Sequence, residues 1–372
     1  MIYADNAATT KLDDDALNAM LPFLRDQYGN ASQPYSFSRS AKKALKEARE
    51  TIASCISANP EQILFTSCGT ESDNWAIKGL ALSHSISWKV AVSEIEHHAI
   101  LNPCKQLEEI GYKVDYIPVD KNGLIDLQCT ENIKSDLVSV MFANNEIGTI
   151  QPIKDLCRVA HENGALFHTD AVQALGHVHI DVRDLDVDFL SASAHKFNGP
   201  KGIGFLYAKD PSLLNAFICG GGQEKGLRAG TENVASIMGM AAALKKNCEE
   251  IDVNKKHLMM LEEVFLNALN ASGVDFIRNG AEERIPGNIS LSFKDCEGEA
   301  LLHLLDLNGI CVSTGSACDS KNTQVSHVLK AIGLDEEYAK GTIRISLGKN
   351  NNVAEVQKIA DVLIRSVGKM NL

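Results

Sequence analysis

Short, almost uninterrupted apolar runs, separated by stretches of helical periodicity, constrain this chain more than any other feature. QILFT (62–66), KVAVS (89–93), LVSVMF (137–142), ALFHT (165–169), FLSAS (189–193) and IGFLYA (203–208) each read as a strand with no face reserved for water. Such strands belong to sheets covered on both sides, and intervening helices supply the cover. SRSAKKALKEARETIASCI (38–56) carries apolar residues at helical spacing, with Ser38 or Ser40 placed to cap it. In PIKDLCRVAHENG (152–164), Pro152 suits a first turn and Gly164 a C-terminal stop. The pattern predicts an α/β fold with a mainly parallel central sheet flanked by helices.

After about residue 250 the rhythm changes. A long amphipathic helix, NKKHLMMLEEVFLNALNA (254–271), leads to strand NISLSF, helix EGEALLHLLDLNG, strand TIRISLG and a closing helix, VAEVQKIADVLIRSVGK. This reads as a smaller α+β unit. A length of 372 residues favours about two domains. The division is a large domain at 13–250 and a small one built from 1–12 and 251–372.

A formal net charge of −12 argues against a nucleic-acid partner, which needs clustered Lys and Arg. The start, MIYADNAATTKLDDD, lacks the basic-then-apolar pattern of a signal peptide, and no stretch is long and apolar enough to span a bilayer. The ten cysteines are scattered without CxxC or zinc-type spacing, as in a reduced cytoplasmic protein, and no intrinsic metal site is expected.

Ligands of open α/β sheets bind beyond the carboxyl ends of the strands, where four polar constellations stand. Ser67-Cys68-Gly69-Thr70-Glu71-Ser72 follows QILFT and opens a helix. Gly69 admits close backbone approach and Thr70 offers a hydroxyl, so the turn suits a phosphate, although an ordinary capping turn has the same look. Asp170, in HTDAVQ, is placed either to cap a helix or to hold a positive charge on a heteroaromatic nitrogen. Lys196, in SASAHKFNGPKG, lies between two predicted strands, with Ser193 and His195 beside it and glycines after it. A surface lysine in a strand connection is one reading; a lysine of depressed pKa that forms a Schiff base is the other. In TIRISLG, Arg344 stands on one face with Thr342 and Ser346, suited to a carboxylate or to solvent. Asn145, in NNEIG, offers an amide to a carboxylate or a cofactor.

The first three constellations, in order, describe pyridoxal 5'-phosphate: a phosphate cradle, an acid for the pyridine nitrogen and an amine for the aldimine. In that setting His98, in EHHAI, suits stacking on the cofactor face, whereas alone it is a polar residue at a helix start.

The whole chain resembles the cysteine desulfurases of the NifS/IscS type, class-V aminotransferase-like members of the fold-type I pyridoxal-phosphate enzymes. The likeness runs through YADNAATT, GTESDN, EHHAI, NNEIGTIQP, HTDAVQA, SAHKFNGPKG, GGGQEKGLRAGTEN, STGSAC and IRISLG. It implies the aldimine on Lys196, Asp170 on the pyridine nitrogen, Gln173 on the ring hydroxyl and His98 stacked on the ring. It implies Gly69, Thr70, Ser193 and His195 on the phosphate side, and Thr231 reaching the phosphate from the second subunit of a homodimer. Asn145 and Arg344 would hold the substrate carboxylate, Asn145 also touching the cofactor. Tyr35, Asn198 and Cys219 depart from the family, which commonly has His, His or Tyr, and His there.

STGSAC explains a thiol set among Ser, Gly and Asp instead of in a core. The resemblance implies that Cys318 attacks the sulfur of L-cysteine, keeps it as a persulfide, leaves L-alanine and passes the sulfur to an acceptor such as an iron–sulfur scaffold, with which Cys318 can transiently share a cluster. A Ser/Gly loop lacks apolar anchors, which suits a thiol that must travel. Competing readings are a selenocysteine lyase, another β-lyase or aminotransferase, and, more distantly, a non-catalytic sulfur-handling scaffold.

Overall fold

The computed structural model describes residues 1–130, 133–314 and 325–370, without the side chain of Cys129. Seven strands form the main sheet, in the order Ile63–Thr66, Gly204–Ala208, Phe189–Ser193, Leu166–Asp170, Leu137–Ser139, Lys89–Ser93 and Lys113–Ile117. Gly204–Ala208 runs antiparallel to both neighbours; the remaining pairs are parallel. Alternate residues of one strand enter different cores. Ile63 and Phe65 pack into one hydrophobic cluster and Leu64 into another; Phe205 and Leu206 divide the same way. Two-sided burial is why these segments are apolar at every position.

The expected strands are present with shifted ends. LVSVMF contributes only Leu137–Ser139, but its backbone continues along its neighbour, with Val140 N donating to His168 O at 3.0 Å and Phe142 N to Asp170 O at 2.8 Å. The seventh strand, Lys113–Ile117, had no apolar run to announce it: it is the sheet edge, and only Ile117 is fully buried. Ser38 is the residue before helix Arg39–Cys55, yet its side chain makes no cap bond, because the 3-10 turn Ser36–Ser38 runs straight into the helix.

A three-stranded antiparallel sheet, Thr342–Ser346, Asn288–Phe293 and Phe276–Arg278, stands on a separate hydrophobic cluster with Leu258, Phe265, Ile359 and Leu363. The helix predicted from residue 254 is the second half of one 39-residue helix, Val234–Ser272, about 58 Å long. Met240 and Leu244 enter the first cluster, and Leu258, Leu261, Phe265 and Leu269 the second. The segment between them, EEIDVNKK, has few apolar residues because it bridges two cores. Residue 250 therefore lies inside a continuous helix.

The N-terminal segment ties the two sheets together. Strand Ile2–Tyr3 pairs with Ile310–Cys311, and Ile2 and Ala4 belong to the second cluster. Asn6 N then donates to Ser346 O at 3.1 Å and Thr10 N to His195 O at 2.9 Å. Residues 5–10 thereby cross above the carboxyl ends of the main-sheet strands. Among the described residues no helix is long and apolar enough to cross a membrane, and no group of three or more His, Cys, Asp or Glu is disposed to hold a metal ion.

Candidate active site

A cavity of about 310 Å³ opens beneath that crossing segment. Gly69, Thr70, His98, Asn145, Asp170, Gln173, Ser193, His195, Lys196 and Arg344, all singled out from the sequence, line it. Thr231 does not. It lines a neighbouring cavity with Thr66, Ser67 and Arg228, on the other side of the turn that follows Ile63–Thr66. Cys318 lies outside the described residues.

Lys196 ends a single 3-10 turn, Ala194–Lys196, directly after strand Phe189–Ser193. Its Nζ donates to the carbonyls of Ala7 and Ala8 at 2.5 and 2.9 Å, so the amine is held within the cavity and not on a surface connection. The adjacent His195 accepts or donates through Nδ1 to Thr9 Oγ1 at 3.2 Å. Burial, then the charges of Lys196 and Lys201, lower His195 to about 4, leaving a neutral imidazole at neutral pH.

Asp170 is the last residue of its strand and is 5% exposed. It caps no helix; the following residues form turns, and its Oδ1 accepts the Val172 amide at 2.9 Å. Burial pushes its carboxyl up to about 6, opposed by the Val172 amide and the Lys196 charge. A buried acid is stabilised as an anion by a positive partner, which is what a protonated heteroaromatic nitrogen provides.

The glycine turn is tight. A side chain at Gly69 would place its Cβ 2.7 Å from Val172 Cγ2, and one at Gly204 would stand 2.4 Å from Ala192 O. Gly69 and Thr70 open helix Gly69–Asn74, with Glu71 in its first turn. Burial raises the Glu71 carboxyl, but hydrogen bonds from Arg228 and Ser67 outweigh it and hold the group below its ordinary value. The Arg228 fork, at 2.8 and 3.0 Å, pins the segment leading to Thr231 against this turn.

His97, which the sequence reading passed over for its neighbour, also lines the cavity. It is the N-cap of helix His98–Glu109, its Nδ1 accepting the Ala99 amide at 3.1 Å. Burial, then the charges of Lys196, His98 and His327, lower it to about 4. The adjacent pair HH carried no signal to separate the two roles. His98 packs against His327, ring centroids 5.0 Å apart, and His327 Nε2 lies 3.0 Å from Glu96 O.

Arg344 is 3% exposed, not solvent-facing, because both faces of its strand are buried. Nη2 donates to Asp5 Oδ1 at 2.8 Å and Nη1 to Asn145 O at 2.9 Å. Asn144 shapes the loop beneath: its Oδ1 accepts the amides of Glu146 and Ile147 at 2.8 and 3.0 Å. Ala7, Ala8, Cys68, Asp73, Met141, Glu146, Val172 and His327 complete the lining and were not predicted.

Of the three departures, Asn198 has a physical account. Its φ is +63°, where Asn is among the better tolerated residues, and its Nδ2 donates to Lys11 O at 2.9 Å. Tyr35 is 51% exposed and Cys219 is exposed.

These side chains fit pyridoxal phosphate. A turn with no room for a Cβ, hydroxyls of Thr70 and Ser193, a buried acid and an amine share one cavity, and they match in kind the phosphate, ring nitrogen and aldehyde of that group.

The class-V aminotransferase family matches residues 2–359. A protein named cysteine desulfurase IscS from Clostridium botulinum is 45% identical over 369 residues, covering 97% of this chain and 93% of its own. Another of that name, from Methanosarcina thermophila, is 43% identical over 373 residues, covering 99% and 92%. Among solved structures, a NifS-like protein superposes with a TM-score of 0.93 at 38% identity, covering 99% of each chain. SspA in complex with cysteine superposes with a TM-score of 0.84 at 37% identity, covering 94% of this chain and 99% of its own.

Proposed function

We propose, from the premise that this chain belongs to the class-V aminotransferase family and is a pyridoxal-phosphate-dependent cysteine desulfurase of fold-type I, that Cys318 receives the sulfur of L-cysteine as a persulfide. The cofactor, when bound, supplies an aldehyde that condenses with amines and a ring that accepts electron density from the substrate α-carbon.

In this reading the residues of the chain have separate tasks. Gly69, Thr70, Ser193 and His195 hold the phosphate, Gln173 the ring hydroxyl, and Asp170 the positive charge on the ring nitrogen. Lys196 Nζ is the amine that would bond the cofactor and, once free, would take the proton from the substrate α-carbon. His98 would stack on the ring, and His97 lines the cavity beside it. Arg344 and Asn145 orient the substrate carboxylate, which replaces Asp5 on the guanidinium. The Cys318 thiolate would then attack the substrate sulfur: an S–S bond forms as the C–S bond breaks, the electron pair stays with the substrate, a proton is delivered to the β-carbon, and Lys196 returns the proton it took to the α-carbon, so that L-alanine leaves.

The single observation supporting this assignment is that Lys196, Asp170 and Arg344, from three distant parts of the sequence, line one cavity. Described residues Thr314 and Val325 flank the segment that holds Cys318, and Ser313 pairs with Arg344 through N–H to O contacts of 3.0 and 2.6 Å. Cys318 is five positions after Ser313, a reach of at most about 18 Å.

The proposal extends to a homodimer in which Thr231 completes the partner's phosphate site, supported by its place beside the cradle in a neighbouring cavity. It includes a cofactor domain over 13–250 and a domain from 1–12 and 251–372 that bears Cys318. It also includes an iron–sulfur scaffold or similar acceptor, and a cytoplasmic location consistent with eight free cysteines among the described residues.

The deciding experiment is Cys318→Ala in the purified holoenzyme. The visible cofactor band persists while sulfide and alanine production from L-cysteine ceases, and mass spectrometry of the wild type finds one added sulfur on the peptide bearing Cys318. Sustained alanine and sulfide production by the variant refutes the proposal.

A further inference from the structure

One buried acid in the cavity has no task in that scheme. Asp73, in helix Gly69–Asn74, is 1% exposed and lines the same cavity as Asp170. Its Oδ1 has no hydrogen-bond partner among the described residues and lies 3.8 Å from His168 Nε2. His168 is itself fully buried, with Nδ1 2.8 Å from Ser139 Oγ and Nε2 3.0 Å from Ser191 Oγ. The Ser191 side chain also acts on the Asp73 carboxyl, favouring its anion against the effect of burial. Ser139, His168 and Ser191 therefore form one hydrogen-bonded chain, and the Asp73 carboxyl lies against its far end.

That chain abuts Asp170. His168 and Asp170 are two residues apart on one strand and share a face, while Ser191 is the residue paired with Asp170 on the next strand. The groups acting on Asp73 are Asp170, Glu96 and Cys68, with His168 beside it and Lys196 beyond Asp170. The buried carboxyls of Asp73, Asp170 and Glu146 line a cavity whose lining cations are Lys196 and Arg344, and Arg344 is paired with Asp5. His168 adds no charge, since burial lowers it to about 3. Burial and the neighbouring carboxylates hold Asp73 well above its ordinary value, whereas Asp170 has an amide donor and Lys196 to favour its anion. Asp170 ionises first, and Asp73 keeps its proton.

We propose that Asp73 is a positioning residue for Asp170: as a neutral acid it ties Ser191 and His168 together, so that Asp170 offers a single, fixed negative charge to the ring nitrogen. The inference rests on the reading of Asp170 given above. It is tested with Asp73→Asn, Asp73→Ala, Asp170→Asn and the Asp73→Ala/Asp170→Asn double variant, each checked for an unchanged circular dichroism spectrum. The readouts are the dissociation constant for added pyridoxal phosphate and the pH dependence of the visible band.

Asp73→Ala is expected to weaken cofactor binding about tenfold or more and to shift the pH titration, because it removes the buried carboxyl that packs against Ser191 and His168. Asp73→Asn, uncharged but able to hydrogen-bond, stays within about threefold of wild type. In the Asp170→Asn background the alanine change adds less than about threefold. Equal losses for Asn and Ala would mean that a charge is required, and would overturn the inference. So would an unaffected Asp73→Ala, or an undiminished loss in the double variant. Failure of the Asp170 reading has its own signature, an Asp170→Asn protein with wild-type affinity and spectrum.

Discussion

Arg344 offers the sharpest quantitative test of the substrate assignment. Its guanidinium is 3% exposed, and two of its nitrogens are already engaged, by Asp5 at 2.8 Å and by the Asn145 carbonyl at 2.9 Å. A substrate carboxylate exchanges with Asp5; it does not claim an idle cation. A hydrogen bond to a charged group contributes about 1.5–3 kcal/mol, so a two-point grip contributes about 3–6 kcal/mol gross. Because the exchange gives up one charged contact to gain another, the low end applies, about 3 kcal/mol or roughly 150-fold in kcat/KM. Arg344→Ala is therefore expected to lower kcat/KM for L-cysteine by roughly two orders of magnitude while pyridoxal phosphate still binds. Arg344→Lys keeps the charge but not the planar fork, and loses about tenfold. The alanine variant also strands Asp5, so the lysine variant guards against a loss caused by unfolding. Initial rates of alanine formation across cysteine concentrations, with thermal melting of each protein, decide the matter. A kcat/KM within about threefold of wild type for Arg344→Ala would refute the reasoning.

Lys196→Ala is expected to abolish the covalent cofactor linkage and alanine formation; borohydride reduction followed by peptide mapping should find no modified lysine, where the wild type is labelled at 196. Gly204→Ala forces a Cβ to 2.4 Å from Ala192 O, and should lower stability in urea by about 1–3 kcal/mol, whereas Gly222→Ala, with nothing within 4 Å, should not. Acid should expose His168, whose pKa burial lowers to about 3. Between the ordinary value of about 6.5 and that limit the unfolded chain binds a proton that the fold does not, so stability falls as pH falls, by up to about 1.4 kcal/mol per unit. Asp170, raised to about 6, acts in the opposite sense, costing stability as pH rises from about 4 to 6. Urea unfolding of wild type and His168→Asn at pH 7 and pH 5 separates them: the variant should recover about 2 kcal/mol of the acid loss, and an unchanged difference between the two pH values contradicts the burial argument.

Much of the fold was legible because two-sided burial writes itself into consecutive residues. Ile63–Leu64–Phe65 and Phe205–Leu206 alternate between two cores, so no polar residue interrupts them. The same logic explains what was missed. Lys113–Ile117 is an edge strand whose polar and half-exposed positions look like loop. The long helix Val234–Ser272 looked broken because EEIDVNKK touches neither core closely enough to need an apolar stripe. Periodicity reports what a segment packs against, and a helix that spans two cores is silent between them.

The site divides along a related line. Asp170, Ser193 and Lys196 announced themselves because they stand at or just beyond strand ends, where an apolar run stops at a polar residue with no loop-like reason to be there. Ala7 and Ala8 gave no signal: they act through carbonyl oxygens, which every residue possesses, and bonds to distant residues, Thr10 to His195 and Asn6 and Ala7 to Ser346, bring them over Lys196. Asp73 was hidden for another reason. Within GTESDN it is one polar residue among several on a helix start, and its burial depends on two strands more than ninety residues away. A sequence thus reveals groups whose chemistry is unusual for their local setting. It conceals those whose setting becomes unusual only after distant strands close over them, which is why a variant at Asp73 carries more information about this cavity than another at Lys196.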